Sequence, residues 1–287
     1  MAINELGTAL DQLTSRLAPL YGEREAFLMA GMCLEKLTGI RQHAQKRAAD
    51  TLLDAAQITT LAGYEKQLLL HRPIQYVLEE AWFRHLPFWV KEGVLIPRPE
   101  TEELVEWVTA TGRHWPAGTR VLDVGTGSGC IAIALAKKLP TTTVMGIDSS
   151  GEALQIARTN QQRLGGTVSF RQADFLSADD RKLLPPAHCI VSNPPYIPLG
   201  EKNSMQTQVT AYEPGSALFV PDEDPLVFYE ALAGFTLQQE PGALLFVEIH
   251  EKAGAAVCEL FRKAGLQQVT LKQDMQGKDR MVCAVHQ

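Results

Sequence analysis

The sequence lacks the marks of several protein classes. No uninterrupted apolar run is long enough to span a bilayer, so no membrane segment is expected. The first residues, Met1-Ala2-Ile3-Asn4-Glu5, hold no basic stretch leading into an apolar one, and no leader is expected. Cysteine is sparse. The five residues, Cys33, Cys130, Cys189, Cys258 and Cys283, are scattered and never in CxxC spacing. That pattern argues against a disulfide framework or a metal site and for a reducing, cytoplasmic compartment. A basic excess is missing too. Net charge is −6 over 287 residues, and residues 1–80 carry 8 Lys and Arg against 10 Asp and Glu. A protein that grips nucleic acid through its phosphates needs the opposite balance, so no stable nucleic-acid binding is expected. A monomer is expected.

The chain itself begins as a helical region, residues 1–80. Leu6, Leu10, Leu13 and Leu17 recur at helical spacing, and Pro19 and Gly22 are expected to end that helix. A second stripe, Phe27, Ala30, Leu34 and Leu37, ends at Thr38-Gly39. A third runs from about Leu52 to Leu70 with less regular phase, and Pro73 breaks it. A small bundle follows, with no catalytic constellation. Residues 81–97 are aromatic and β-branched. They predict a hairpin linker that turns at Lys91-Glu92-Gly93, with Leu86-Pro87 interrupting its first arm. Pro99 and Glu100 suit the first turn of a helix. From Arg120 onward apolar strands alternate with amphipathic helices to the end of the chain, so residues 98–287 predict an α/β domain. Its sheet is mostly parallel and doubly wound, with helices on both faces. The last two strands are close enough in sequence to form an antiparallel pair at the sheet edge.

Two loops carry the chemistry. The first strand of the alternation runs into Asp123-Val124-Gly125-Thr126-Gly127-Ser128-Gly129 and then a helix. Glycine at 125, 127 and 129 lets the backbone turn sharply and approach a ligand. A dinucleotide fingerprint would place its third glycine where Cys130 stands, and no Lys-Ser/Thr pair follows to hold a phosphate chain. Asp148 ends the next strand, where a carboxylate can accept both hydroxyls of a ribose. Asp174 and Phe175 follow the third strand, placed to bind an adenine amino group and to lie against the base. Each residue has a plainer structural explanation: a charge at a helix start, a cap, a core ring. Three of them after three successive strands favour an adenosine-bearing ligand without phosphates. The second loop is Ser192-Asn193-Pro194-Pro195-Tyr196, which ends a buried strand. Asn193 Oδ1 and the Pro194 carbonyl can both accept from one planar NH2 group, and Tyr196 can cover its flat face.

These features resemble the seven-stranded class I methyltransferases, whose cofactor is S-adenosylmethionine. Asn193-Pro194-Pro195-Tyr196 narrows the resemblance to enzymes that methylate planar NH2 groups. The chain as a whole is similar to the peptide chain release factor glutamine N5-methyltransferases. The similarity includes Arg72-Pro73-Ile74-Gln75-Tyr76, the run from Leu95 to Glu102, Tyr212-Glu213-Pro214 with Ala217-Leu218, and Glu248-Ile249. It departs at Val77 to Ala81, where a glycine is expected, and at His250. The resemblance implies methyl transfer to the side-chain amide of the glutamine in the Gly-Gly-Gln loop of class 1 release factors. It makes Asn193, Pro194 and Tyr196 the catalytic set, with Pro195 beside them against the substrate. It assigns the cofactor to Gly125, Thr126, Gly127, Ser128, Gly129, Asp148, Asp174, Phe175 and the edge of Asn193. No metal is required, and His250 is a weak candidate for a general base. DNA adenine or RNA guanine methylation, NAD-dependent oxidoreduction and a non-catalytic adaptor remain as other readings. The helical domain is expected to recognise the release factor.

Overall fold

The computed structural model describes residues 4–287; residues 1–3, part of the start that was expected to lack a leader, lie outside the described residues. The chain forms two compact units. One holds the chain up to Glu80 together with Thr207–Tyr212, and the other holds Ala81–Gln206 and Glu213–Gln287. No helix among the described residues is long and apolar enough to cross a membrane.

The first unit contains α1 (Leu6–Tyr21), α2 (Glu23–Thr38), α3 (Gln42–Gln45), α4 (Ala55–Leu69) and α5 (Ile74–Val77). The leucines of the first stripe are buried, and they pack with Ala26, Ala30, Leu34, Leu61 and Leu68. Pro19 does not end α1 but sits in its last turn. Its missing N–H forfeits one helical bond, and the packing of the stripe outweighs that loss. Gly22 closes the helix with an N–H donated to the Ala18 carbonyl. Phe27, read as part of the second stripe, is 40% exposed. Asp54 and Gln57 form a capping box at the start of α4, satisfying two otherwise orphaned N–H groups. Where the family resemblance expects a glycine, Glu79 takes a left-handed backbone with φ 52°.

The second unit opens with a hairpin, β1 (Ala81–Phe83) and β2 (Leu86–Phe88), paired antiparallel. Its turn is Arg84-His85, both with positive φ, and not Lys91 to Gly93. Two-residue turns of that hand match the twist of the flanking strands. The pair carries no Asn-Gly signature, which is why the sequence pointed elsewhere. Leu86 and Pro87 therefore lie in a strand instead of interrupting one.

Then follow α6 (Pro99–Gly112), β3 (Arg120–Val124), α7 (Cys130–Lys138), β4 (Thr143–Asp148), α8 (Gly151–Leu164), β5 (Val168–Gln172), α9 (Ala178–Lys182) and β6 (Cys189–Ser192). A small parallel pair, β7 (Ile197–Pro198) and β8 (Phe219–Val220), flanks α10 (Thr207–Tyr212), the segment that groups with the first unit. The chain ends with α11 (Val227–Thr236), β9 (Leu244–Glu248), α12 (Gly254–Ala264), β10 (Gln267–Gln273) and β11 (Asp279–Val285). The main sheet has seven strands in the order β10-β11-β9-β6-β3-β4-β5. All neighbours are parallel except the two pairs that include β11. The expected antiparallel pair is at the edge, formed by β10 and β11.

The central strands are apolar on both faces because helices cover both. Val121, Leu122, Val124 and Ile190, Val191 are at most 2% exposed. From β3 the order steps one way to β4 and β5, then returns to β6 on the other side. That reversal leaves a crevice at the carboxyl ends of β3 and β6. Val124 pairs with Ser192 there, so the two chemistry-bearing loops begin on adjacent strands.

A buried asparagine ties the hairpin exit to this crevice. Asn160, on α8, is fully buried. Its Oδ1 accepts from the Trp89 N–H at 2.7 Å, and its Nδ2 donates to the Trp89 and Ser128 carbonyls at 2.9 Å. Asn160→Leu keeps the volume but removes the hydrogen bonds that Asn160 makes to three backbone groups. We expect a stability loss of about 1–3 kcal/mol, read as a lower urea midpoint at unchanged slope. A midpoint equal to wild type would show that these groups find other partners.

Candidate active site

The crevice is a cavity of about 300 Å³. Its floor is Gly125 and Gly127 after β3, with Ile147 and Asp148 from β4. Asp174 and Phe175 form one side, and Ser192 to Pro195 the other. Val94 and Leu95, with Pro214, Ser216 and Ala217, complete the wall. The structure therefore brings together, around one space, Gly125, Gly127, Asp148, Asp174, Phe175, Asn193, Pro194 and Pro195. Thr126, Ser128, Gly129 and Tyr196 are not among the lining residues.

The glycine loop is shaped for close approach. Gly125 and Gly127 have φ of 74° and 54°, and a Cβ on either would meet no protein atom within 4 Å. A ligand in the cavity would meet that vacant backbone surface. Gly129 serves a different purpose, since a Cβ there would lie 3.1 Å from Ala157 and Ile133. It allows α7 to start tight against its neighbours. Thr126 turns inward and donates to Asp123 Oδ2 at 2.6 Å, and Ser128 is 2% exposed. These three residues shape the loop from behind.

Asp148 spans the loop. Its Oδ2 accepts from the Gly127 N–H and its Oδ1 from the Ser150 N–H, both at 2.9 Å. A carboxylate has about four acceptor positions, so two remain for a diol. Burial raises its pKa, and the two backbone N–H bonds oppose the rise. Phe175 is 4% exposed, edge-on to Phe235 at 5.5 Å. Asp174 accepts from the Leu176 N–H in its own turn, so its carboxylate is already oriented at the rim. The cavity's acceptor on one side, apolar wall on the other and bare glycine floor fit a nucleoside-bearing ligand.

Asn193 is held by a buried chain of side chains. Its Nδ2 donates to Thr101 Oγ1 at 3.0 Å, and Thr101 donates to Glu248 Oε2 at 2.6 Å. Glu248 Oε1 accepts from the Tyr196 hydroxyl at 3.2 Å. Tyr196 thus points its hydroxyl at the buried Glu248 and is not among the residues that line the cavity. A buried carboxylate needs partners, and Tyr196 supplies one. Burial pushes Glu248 up to about 7, while the bonds from Thr101 and Tyr196 and the charge of Arg280 pull it down. Burial raises the Tyr196 phenol as well, so it remains a donor.

Other groups singled out in the sequence lie around the site. Arg98 pairs with buried Glu213 at 2.5 Å, and Glu213 also accepts from the Ile96 N–H at 3.1 Å. That clamp joins the two wall segments on either side of it. His250 lies 3.6 Å from Glu201, takes an N–H from Lys252 and does not line the cavity. Thr101, Asn160 and Glu213 were not singled out by themselves in the sequence. Their partners lie 32 to 147 residues away, so no local spacing could reveal them.

Asp123, beneath the loop, gives a pH-dependent prediction. It is fully buried, Oδ2 accepts from Thr126 and from the Ala132 N–H, and Oδ1 has no partner among the described residues. Burial pushes its pKa from 3.8 to about 7, against the pull of those two bonds. The folded protein therefore keeps a proton between those values that the unfolded chain has lost. Stability from this group is full below the ordinary carboxylate pKa and declines as pH rises through about 7. Asp123→Asn has no such proton to lose. Its melting temperature relative to wild type should climb from about pH 5 to about pH 8. A difference flat across that range would refute the assignment.

Comparison with known proteins agrees with this geometry. Residues 116–208 match the family described as "Methyltransferase domain". The chain is 38% identical over 274 residues to a release factor glutamine methyltransferase of Flavobacterium psychrophilum, covering 94% of this chain and 95% of that one. It is 42% identical over 236 residues to the one of Bacteroides thetaiotaomicron, covering 82% and 84%. A solved methyltransferase of Pyrococcus furiosus shares the fold, with a TM-score of 0.51 at 16% identity over 78% of this chain and 98% of that one. With a glycine loop, the Asp148 carboxylate and Asn193-Pro194-Pro195 around one cavity, and with these relatives along nearly its whole length, the chain belongs to the release factor glutamine methyltransferase family.

Proposed function

We propose that this protein methylates the side-chain amide nitrogen of the glutamine in the Gly-Gly-Gln loop of class 1 peptide chain release factors, with S-adenosylmethionine as cofactor. The observation that carries the reading is Asn193. Thr101 takes its Nδ2, which leaves Oδ1 as the group it turns to the cavity. The Pro194 carbonyl follows on a stiff Pro-Pro backbone beside it.

S-adenosylmethionine, when bound, supplies a methyl group on a positively charged sulfur. The residues of the chain do the rest. Asp148 accepts the ribose hydroxyls on the lone pairs that Gly127 and Ser150 leave free. Gly125 and Gly127 let the backbone lie against the ligand, and Phe175 and Asp174 hold the base. An amide nitrogen is a weak nucleophile because its lone pair is shared with the carbonyl. Asn193 Oδ1 and the Pro194 carbonyl accept its two N–H bonds and turn the lone pair out of conjugation toward the methyl. Both acceptors also face the positive charge that grows on nitrogen during transfer. Fixing nitrogen in line with the methyl supplies the proximity contribution. The nitrogen is acidic once alkylated, so its proton leaves without a strong base. We further propose that the helical unit recognises the release factor, because it has its own core and carries no reactive cluster among its described residues.

The decisive assay is transfer of a tritiated methyl from S-adenosylmethionine to purified release factor, with DNA and RNA as controls. Label should appear on the glutamine of the release factor and not on either nucleic acid. Labelled nucleic acid with unlabelled release factor would overturn the reading. Asp148→Ala should weaken cofactor binding by about 1–3 kcal/mol, and unchanged affinity by calorimetry in a folded variant would remove Asp148 from the site. Asn193→Ala should lower the single-turnover rate by about 100–1000-fold at saturating cofactor. Turnover at the wild-type rate would reduce Asn193 to a turn residue.

A further inference from the structure

We propose that Thr101 and Glu248 are positioning residues that set which end of the Asn193 amide faces the cavity. The proposal rests on the role given to Asn193 above.

A carboxamide has an acceptor end and a donor end of nearly the same shape, so packing alone does not choose between them. Only hydrogen-bond partners can choose. Asn193 has one such partner on its inner side, Thr101 Oγ1 at 3.0 Å. A hydroxyl carries a single proton. That of Thr101 is committed to Glu248 Oε2 at 2.6 Å, a short bond of the charge-assisted kind. Thr101 therefore meets Asn193 with a lone pair, and the Asn193 NH2 must turn inward.

Glu248 is in turn held as an acceptor. Tyr196 donates to its Oε1 at 3.2 Å. Burial pushes the Glu248 pKa up to about 7 and Glu100 on α6 adds to that rise, while the bonds from Thr101 and Tyr196 and the charge of Arg280 on β11 favour the ionised, accepting form. Tyr229 on α11 bonds the Glu248 backbone carbonyl at 3.1 Å, which fixes the residue in β9. Thr101 and Glu248 are 2% and 1% exposed, and neither lines the cavity. Thr101 reaches the cavity through Asn193, and Glu248 reaches the site through Thr101 and through Tyr196. A burial this deep of an ionisable side chain is unfavourable for stability, and setting the amide direction is a function that can retain it.

Glutamine at 248 shows how the direction would reverse. With Tyr196 still donating to the amide oxygen, the new NH2 faces Thr101. Thr101 must then accept from residue 248 and donate to Asn193. That draws Asn193 Oδ1 inward and puts its NH2 where the substrate NH2 needs an acceptor.

The test is single-turnover methyl transfer to release factor at saturating cofactor, with cofactor affinity measured separately by calorimetry. Thr101→Val and Glu248→Gln should each slow transfer on the order of 100-fold, with cofactor affinity within about twofold of wild type. Thr101→Ser should retain most of the rate, because it keeps the hydroxyl. In an Asn193→Ala background, Thr101→Val should cost little more, since it has nothing left to orient. Glu248→Gln keeps the shape of the buried group, so the proposal stays testable if Thr101→Val does not fold. Wild-type rates in Thr101→Val or Glu248→Gln, with Asn193→Ala impaired, would overturn the proposal and leave the function standing. Equal losses in Thr101→Ser and Thr101→Val, or full additivity with Asn193→Ala, would also overturn it. If Asn193→Ala itself turned over at the wild-type rate, the site reading would fall first and this one with it.

Discussion

The site depends on one adjacency, the parallel ladder between β3 and β6. Val124 is opposite Ser192, and the buried Ser192 hydroxyl donates to the Val124 carbonyl at 2.8 Å. The glycine loop starts one residue later on one strand, and Asn193 one residue later on the other. A register slip of a single residue would turn every side chain of either strand to the opposite face. Both strands are buried on both faces, so such a slip would mismatch their close packing against the helices that cover them. The same packing that stabilises the sheet therefore keeps the cofactor loop and the amide-binding loop side by side.

Around that adjacency the protein spends polar burial sparingly and in connected groups. Asp123 shapes the glycine loop from beneath through Thr126 and the Ala132 N–H. Asn160 ties the same loop to the Trp89 segment. Glu213 joins the wall segments through Arg98 and the Ile96 N–H. Glu248 reaches Asn193 through Thr101. Each is a group that would be costly to leave unpaired in the interior. Asn160, Glu213 and Glu248 each have at least one partner distant in the chain, so the cavity's walls are cross-linked by side chains and not by the backbone ladder alone.

The geometry divides the motif residues into two kinds. Gly125, Gly127, Asp148, Asp174, Phe175, Asn193, Pro194 and Pro195 line the space. Thr126, Ser128, Gly129 and Tyr196 shape it from behind. A motif read along the chain makes no such distinction, because alternate residues of a tight loop point in opposite directions. Tyr196 is the clearest case. Its ring packs against the sheet core and, edge-on at 6.0 Å, against His250, and its hydroxyl satisfies a carboxylate.

By itself the sequence determined the elements whose signals are local. Apolar stripes at helical spacing marked α1, α2 and α4, the alternation after Arg120 marked the parallel sheet, and glycine spacing with a double proline marked the two loops. Those signals arise from backbone sterics and from burial of one face, and both act over a few residues. The hairpin turn at Arg84-His85 escaped because the pair lacks the Asn-Gly or Asp-Gly signature of two-residue hairpin turns. Pro19 misled because a proline's local penalty was weighed without the packing of the stripe around it. Tertiary structure alone decided that Thr207–Tyr212 groups with the helical unit. It also decided that Asn160 meets Trp89, and that Thr101 and Glu248, 147 residues apart, share one hydrogen bond. Such pairings arise only when distant segments are brought to within about 3 Å, and nothing in the local spacing of either partner encodes the other.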